Sequence, residues 1–330
     1  MLAILNITFP LFALVACGYL AVRRGVVPHG AVAGICRYVV YFGLSAMLFR
    51  FGSATPIARL LDPKLLALYA GCGVFMALAI IHLSRNARIG IEDAAFGALV
   101  TTFPNSGFMG IPLILALLGE QAIGSAVLAL TVDVVLISSL CLAIAHARHE
   151  PGEGGHTSGR ASLLAAFAKA LRGAAANPLP WAAAGGVLVS ATGLPVPAIV
   201  SKTVNMLSDS ATPVALFALG GILARNALHQ RPPAHRLDVW PVVMVKLVVH
   251  PLLILGVARA AQAFGVEFDP QLLLALILVA ALPSASNVSM LAENYSVDSG
   301  RIATITLLTT ALSFVTFAAA VWLLGATPAG

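Results

Sequence analysis

The sequence predicts an all-α membrane protein of ten transmembrane helices, built as a 5+5 inverted repeat with two proline-broken crossover helices, spans 4 and 9. Three observations carry this: an apolar composition, ten apolar runs of spanning length, and matched motifs in the two halves. Of 330 residues, 59% are hydrophobic and 10% charged, and the mean hydropathy is +0.96. Soluble domains carry about 25% charged residues. Nineteen Lys plus Arg and thirteen Asp plus Glu cannot cover a 34.0 kDa globule with polar surface, so most of the outer surface faces lipid. That composition argues against a soluble enzyme, a nucleic-acid binder or a secreted disulfide scaffold.

A span needs about 20 predominantly apolar residues. The first, 4 to 22, lacks the basic start of a signal peptide and ends at Arg23 and Arg24, so it is expected to stay as a span. The second, 31 to 52, leads to Arg59, and the third, 63 to 84, to Arg85 and Arg88. The fourth covers 92 to 119 and closes at Gly119; the fifth, 121 to 146, closes at His146. The sixth, 178 to 194, opens at Asn177-Pro178, and the seventh, 197 to 224, stops before Arg225. The eighth, 237 to 264, follows Arg231 and Arg236; the ninth is 270 to 296; the tenth, 299 to 325, begins beside Arg301. Residues 1–147 form the first five-helix repeat, 148–176 a solvated Gly-rich connector, and 177–330 the second repeat. His146, His149 and His156 in and beside the connector lack flanking Cys or Asp, so they read as polar loop residues, and no metal site is expected. Cys17, Cys36, Cys72 and Cys141 all fall in apolar runs and read as small core residues.

The net charge of +6 records topology. With the amino terminus outside, thirteen Lys and Arg fall on inside loops and five on outside loops, leaving Lys246 within a span. Cytoplasmic loops carry the basic excess. Both termini are therefore expected outside an inner, or plasma, membrane, with the central loop cytoplasmic.

The two halves carry similar motifs in the same order. Asn6-Ile7-Thr8-Phe9-Pro10 opens span 1 as Asn177-Pro178-Leu179-Pro180 opens span 6. Met47-Leu48-Phe49 matches Ala215-Leu216-Phe217, and Phe103-Pro104-Asn105-Ser106 matches Leu282-Pro283-Ser284-Ala285. Five spans per unit is odd, so the second unit runs through the membrane inverted. Inverted repeats are a transporter signature, with substrate held near the midplane between the repeats. Pro104 and Pro283 lie halfway along spans 4 and 9. Proline removes an N–H and clashes with the preceding turn, while Ser106, Gly107, Gly110, Ser284, Ser286 and Asn287 make unwinding cheap and supply caps. Unwound backbone at that depth is tolerated where it is buried in protein or lines a cavity. A simple kink explains either proline alone; the matched pair favours two broken helices that cross.

Both second halves begin at the break, which aims their free N–H groups and positive dipole ends at the midplane. Asn105, Ser106, Ser284, Ser286 and Asn287 add neutral donors. With no acid beside either break, the expected ligand is a small organic anion. The candidate substrate site is Pro104, Asn105, Ser106, Gly107 and Gly110 with Pro283, Ser284, Ser286 and Asn287.

At these residues the chain resembles the auxin efflux carrier family, which includes plant PIN-type carriers and bacterial relatives linked to organic acids such as malate or malonate. Phe103 to Leu113 (FPNSGFMGIPL), with Gly119, is similar to that family's fourth-span pattern, and Leu282 to Val288 (LPSASNV), with Ala292 and Tyr295, to the bacterial form of its ninth-span pattern. The resemblance implies an elevator-type carrier in which spans 1, 2, 6 and 7 form a scaffold and homodimer surface while spans 3–5 and 8–10 move. It also implies that Asn105 contacts substrate in the first crossover and that Ser284, Ser286 and Asn287 do so in the second. The chain departs from the family in carrying Ala46 where relatives often have proline, although Pro213 holds the equivalent place in span 7. It also lacks the long plant regulatory loop and the acid of the charged pair near the plant site, so the resemblance assigns no coupling residue.

Asp133 in span 5, Asp209 in span 7, and Lys246 with His250 in span 8 are ionisable groups within the membrane and mark candidate function. Lys246 and His250, four apart, share a helix face. Coupling or gating and plain structural pairing both stand as readings of Asp133 and Lys246, and a proton role is open for His250. The function expected is a secondary active transporter moving a small carboxylate (malate-, malonate- or auxin-like) by efflux or exchange. The alternatives are a membrane receptor for the same anion, against which the short central loop argues, and an anion channel. No Ser/His/Asp set, H-E-x-x-H, P-loop or G-x-G-x-x-G appears, so no enzyme is expected. No cofactor is expected, and a coupling proton or sodium ion is left open. The partners are the small organic anion, the lipid bilayer and a second copy of the chain, with no nucleic acid.

Overall fold

Aspartate and proline fix where several helices begin. In the computed structural model Asp62 accepts from the N–H of Lys64 (2.8 Å) and Leu65 (3.4 Å), with Pro63 in the first turn behind it. Asp269 repeats the device ahead of Pro270, accepting from Gln271 (2.9 Å) and Leu272 (3.0 Å). A carboxylate satisfies donors that a first turn leaves free, and proline has no N–H to lose there. The structure describes residues 2–54, 62–85, 89–146, 178–229, 238–292 and 297–326. The connector 148–176, with His149 and His156, lies outside the described residues, as does Tyr295.

Among the described residues every named element is helical. In chain order, α1 is Leu2–Arg23; α2 (His29–Tyr38) and α3 (Ser45–Ala54) are joined by a π-helical turn, Val39–Leu44; and α4 is Pro63–Ser84. Helices α5 (Ile91–Thr102) and α6 (Ile111–Leu118) flank an interruption followed by the π turn Ser106–Gly110. Then α7 (Ile123–Val132) and α8 (Ser138–His146) enclose the π turn Asp133–Ile137. In the second half come α9 (Pro178–Thr192) and α10 (Ala198–His229), then α11 (Val239–Met244) and α12 (His250–Ala263) around the π turn Val245–Val249. Finally α13 (Pro270–Ala280) and α14 (Ser286–Ala292) flank a second interruption, and α15 is Ser299–Leu323.

Among the described residues six helices are long and apolar enough to cross a membrane: His29–Ser53, Pro63–Ser84, Glu120–Ala145, Ala198–Arg225, Val239–Ala263 and Ser299–Leu323. Phe9–Arg23, Ser106–Leu118 and Pro270–Ala280 are shorter apolar segments, and α9 has 15 residues. The expected spans 4 and 9 fall short for a visible reason, since each is divided by its break. Phe75, Ile199, Leu252 and Val315 project outward and exposed, as a lipid-facing surface allows.

In lipid, helices gain little from apolar contact alone, and small residues that admit close backbone approach hold them together. The most extensive pairings are α1 with α10 and α3 with α9, and glycines make both possible. A Cβ on Gly220 would lie 1.9 Å from the Val15 carbonyl oxygen, and one on Gly18 would lie 2.0 Å from that of Phe217. On α9, a Cβ on Gly186 would lie 2.3 Å from the Phe49 oxygen. Polar contacts gather residues at the helix ends. Lys64 Nζ donates to the Glu267 carbonyl (2.9 Å) and Gln271 Nε2 to that of Leu118 (3.0 Å). Elsewhere, Asp93 accepts from the Asp298 N–H (2.8 Å), while Arg301 donates to the Asp93 carbonyl (3.1 Å).

Candidate functional site

Two interrupted helices meet in the interior. Helix α5 ends at Thr102 and helical structure resumes at Ser106; α13 ends at Ala280 and resumes at Ser286. The two extended stretches lie antiparallel and hydrogen-bond as a minimal ladder, pairing Pro104 with Ser284. Asn105 N–H donates to the Pro283 carbonyl (2.8 Å) and Ala285 N–H to that of Phe103 (2.9 Å). This pairing satisfies main-chain groups that proline and unwinding leave without intrahelical partners. The Asn105 carbonyl then accepts from Met109 (3.1 Å) and Gly110 (2.9 Å), which starts the next segment.

The side chains around this junction are polar and mostly buried. Asn105 Nδ2 donates to Ser286 Oγ at 3.4 Å, linking the two breaks. Thr309 Oγ1, on α15, accepts from the Ser284 N–H (3.2 Å), and Ser284 Oγ is buried with no protein partner. Pro104, Asn105, Ser106, Gly110, Pro283, Ser284 and Ser286 are buried; Gly107 is half-buried, and Asn287 is exposed. Eight of the nine sequence-predicted site residues are thus buried or half-buried at the junction, and Asn287, next to Ser286, is exposed. Gly110 permits the close fit, since a Cβ there would lie 2.8 Å from Leu282 Cδ1. At Gly107 an added Cβ meets nothing within 4 Å.

A second polar group lies beside the first. Tyr69 on α4 donates its hydroxyl to both carboxylate oxygens of Asp133 (3.2 and 3.0 Å). Lys246 Nζ lies 3.0 Å from His250 Nδ1 and donates to the Ala280 carbonyl at 3.3 Å. The charges of Asp133 and Lys246 act on one another, and all four side chains are essentially inaccessible. Asp133 opens one π turn and Lys246 lies within another, and such turns recur at functional sites because they re-aim side chains. Gly73, one turn beyond Tyr69, admits Ile137, whose Cδ1 would be 3.0 Å from a Cβ there.

Asp209 does not join this cluster. Its side chain is 70% exposed and ion-paired with Arg50 at 2.8 Å, while Arg50 also approaches Glu120 at 3.7 Å. Sequence reasoning missed Tyr69 and the buried hydroxyl face of α15, formed by Thr306, Thr309, Thr310 and Ser313. The spacing of that face is a helical stripe and was available as a signal; Tyr69 in an apolar run offered none. It also left Lys246 unconnected to the breaks, whereas the structure brings its ammonium to the last helical carbonyl before the second interruption.

Comparison with known proteins agrees with a transport function. A family model described as "Membrane transport protein" matches residues 3–323. A protein of Rhizobium meliloti (strain 1021) named "Putative malonate transporter" is 30% identical over 337 residues, covering 100% of this chain and 99% of the relative. "Uncharacterized transporter YfdV" of Escherichia coli (strain K12) is 24% identical over 315 residues, 93% of this chain and 92% of its own. An "Uncharacterized transporter" of Methanothermobacter thermautotrophicus is 23% identical over 303 residues, 92% of each.

Proposed function

The chain belongs to the auxin efflux carrier family of membrane transport proteins, and on that premise we propose that it is a secondary active carrier for a small carboxylate. Malonate is the first candidate by the name of a full-length relative, with malate and auxin-like acids beside it. The observation that carries the anion reading is the junction of the two interrupted helices. It offers Asn105 Nδ2 and an unpartnered Ser284 Oγ, beside the first turns of two resumed helical segments. A carboxylate accepts such bonds and supplies no donors in return, so the chemistry is complementary.

We assign the ten apolar segments to a 5+5 inverted repeat. The reciprocal pairing of α1 with α10 and of α3 with α9 supports it, because spans 1 with 7 and 2 with 6 are each other's images under the repeat. An elevator motion of spans 3–5 and 8–10 against that four-helix frame, with a second copy docking on the frame, accounts for alternating access. The carrier sits in the inner membrane with both termini outside, in keeping with the thirteen-to-five division of basic residues. Efflux or exchange is the expected direction, since moving one net negative charge through 100 mV is worth about 2.3 kcal/mol and favours its exit.

Flux of labelled malonate and malate into proteoliposomes tests this reading, together with a thermal-shift screen of carboxylates, because a ligand of the folded state raises its melting point. Asn105→Ala removes a hydrogen bond to a charged group, worth about 1.5–3 kcal/mol, so affinity is expected to fall by about tenfold or more with the protein still folded. Unchanged binding and flux in a folded Asn105→Ala protein would remove Asn105 from the site.

A further inference from the structure

We infer that the buried set Tyr69, Asp133, Lys246 and His250 is a proton-binding site that carries one proton with each anion, making the carrier a proton–carboxylate symporter. The inference rests on the anion-carrier reading above and adds its coupling ion; a dicarboxylate dianion that travels with one proton keeps one net negative charge, so the membrane potential still favours its exit. Four titratable side chains from three segments converge in the protein interior, two of them on π turns. Structural pairing alone would join Asp133 to Lys246 directly. Here each is instead held by a neutral partner: Asp133 by the Tyr69 hydroxyl, Lys246 by His250 and the Ala280 carbonyl. With Lys246 donating to Nδ1, the imidazole carries its own proton on Nε2, which is buried with no protein partner. An orphaned buried donor calls for an explanation, and a path that hands protons to and from the cluster supplies one.

Charge balance gives the coupling its direction. With Asp133 ionised, the cluster is neutral and the substrate junction is best left empty. When Asp133 takes a proton, the carboxylate becomes a carboxylic acid that keeps its contact with Tyr69, and Lys246 is left as an uncompensated positive charge. That charge lies against the last carbonyl of α13, beside the break. A bound anion then neutralises it. The two low-energy forms are therefore the empty, deprotonated carrier and the anion-loaded, protonated one. At about 10 Å and an effective dielectric of about 20, the attraction changes affinity on the order of tenfold, and by linkage the anion raises proton affinity by the same factor.

Other titratable groups on the helices packed against the cluster are few. On α4 these are Lys64, Cys72 and His82, of which Cys72 is buried one turn from Tyr69. On α5 they are Glu92 and Asp93 in the first turn, on α8 the buried Cys141 and the terminal His146, on α12 Arg259, and on α15 Arg301, which is bound to the Asp93 main chain. Helix α13 carries none.

Proteoliposomes with the membrane potential clamped and a pH-sensitive dye inside test the coupling, with labelled malonate as substrate. Wild-type uptake is expected to rise several-fold when the outside is acidified, with proton entry in step. Asp133→Asn, which mimics the protonated acid, is expected to keep malonate binding in thermal shift while losing both responses. Tyr69→Phe serves as a second variant should Asp133→Asn not fold: it removes the hydroxyl that positions the carboxylate, and the pH midpoint of uptake is expected to shift. Titration of malonate itself is common to every variant and cancels in the comparison. Wild-type malonate flux that ignores the pH gradient overturns the symport and leaves the anion carrier standing, as does an Asp133→Asn protein that still moves protons. Absence of binding and flux for every carboxylate tried, at any pH, overturns the anion reading and the symport with it.

Discussion

Gly107 and Gly110 sit three residues apart in the same π turn, yet a methyl group would meet different surroundings at each. At Gly110 it would press on Leu282 at 2.8 Å, while at Gly107 it meets no protein atom within 4 Å. Gly110→Ala is therefore expected to destabilise the fold by about 1 kcal/mol or more through overpacking. Gly107→Ala is expected to stay within about 0.5 kcal/mol of wild type while weakening malonate binding several-fold, because the added methyl would intrude on the proposed substrate site. Paired thermal-denaturation and binding titrations on the two variants check this; a Gly107→Ala protein that binds as wild type takes Gly107 out of the site. Asn105, Ser284 and Ser286 were legible in the sequence because polar residues beside proline stand out in an apolar run. Asn287 reads the same way, and it is exposed. Tyr69 was illegible because a tyrosine that packs and a tyrosine that donates look alike until the partner, 64 residues on, is seen across the interior.

Helices were legible as apolar runs with caps, and both breaks were legible as proline with small polar neighbours. The four π turns among the described residues were not, because an extra residue in a turn is fixed by packing against neighbours and leaves no periodic mark. The glycine seams were only half legible. Gly18 and Gly220 are unremarkable in composition, but each allows one backbone to touch another, at 2.0 and 1.9 Å from the position a Cβ would take. At those distances the obstacle is a carbonyl oxygen and main-chain carbon, neither of which turns aside as a flexible side chain does. Gly220→Val is accordingly expected to force α1 and α10 apart and to cost about 2 kcal/mol or more, seen as a lower melting temperature in detergent. Gly256→Val on α12, where a Cβ would meet nothing within 4 Å, is the matched control. Equal melting temperatures for the two would show that the α1–α10 seam yields without cost.

At the scale of the molecule, an elevator requires two bodies that slide, and the ion pairs of Arg50 say where they meet. Arg50 on α3 and Asp209 on α10 belong to the proposed frame, while Glu120 belongs to the proposed moving body. The 2.8 Å Arg50–Asp209 contact should then persist through the cycle, and the 3.7 Å Arg50–Glu120 contact should break and re-form once per turnover. These groups are partly exposed, at 27% for Arg50 and 55% for Glu120, so either pair contributes about 1 kcal/mol at most and neither holds the bodies together by itself. A covalent link in their place does. In a background with Cys17 and Cys36 replaced by serine, Arg50→Cys with Glu120→Cys, bridged by a short bifunctional maleimide, is expected to lose at least nine-tenths of malonate flux. The same bridge between Arg50→Cys and Asp209→Cys is expected to leave flux near that of the unbridged protein, because both ends ride on one body. Equal flux in the two bridged proteins would mean that spans 2 and 4–5 do not move apart during transport, and access would then have to alternate by local gating around a stationary junction.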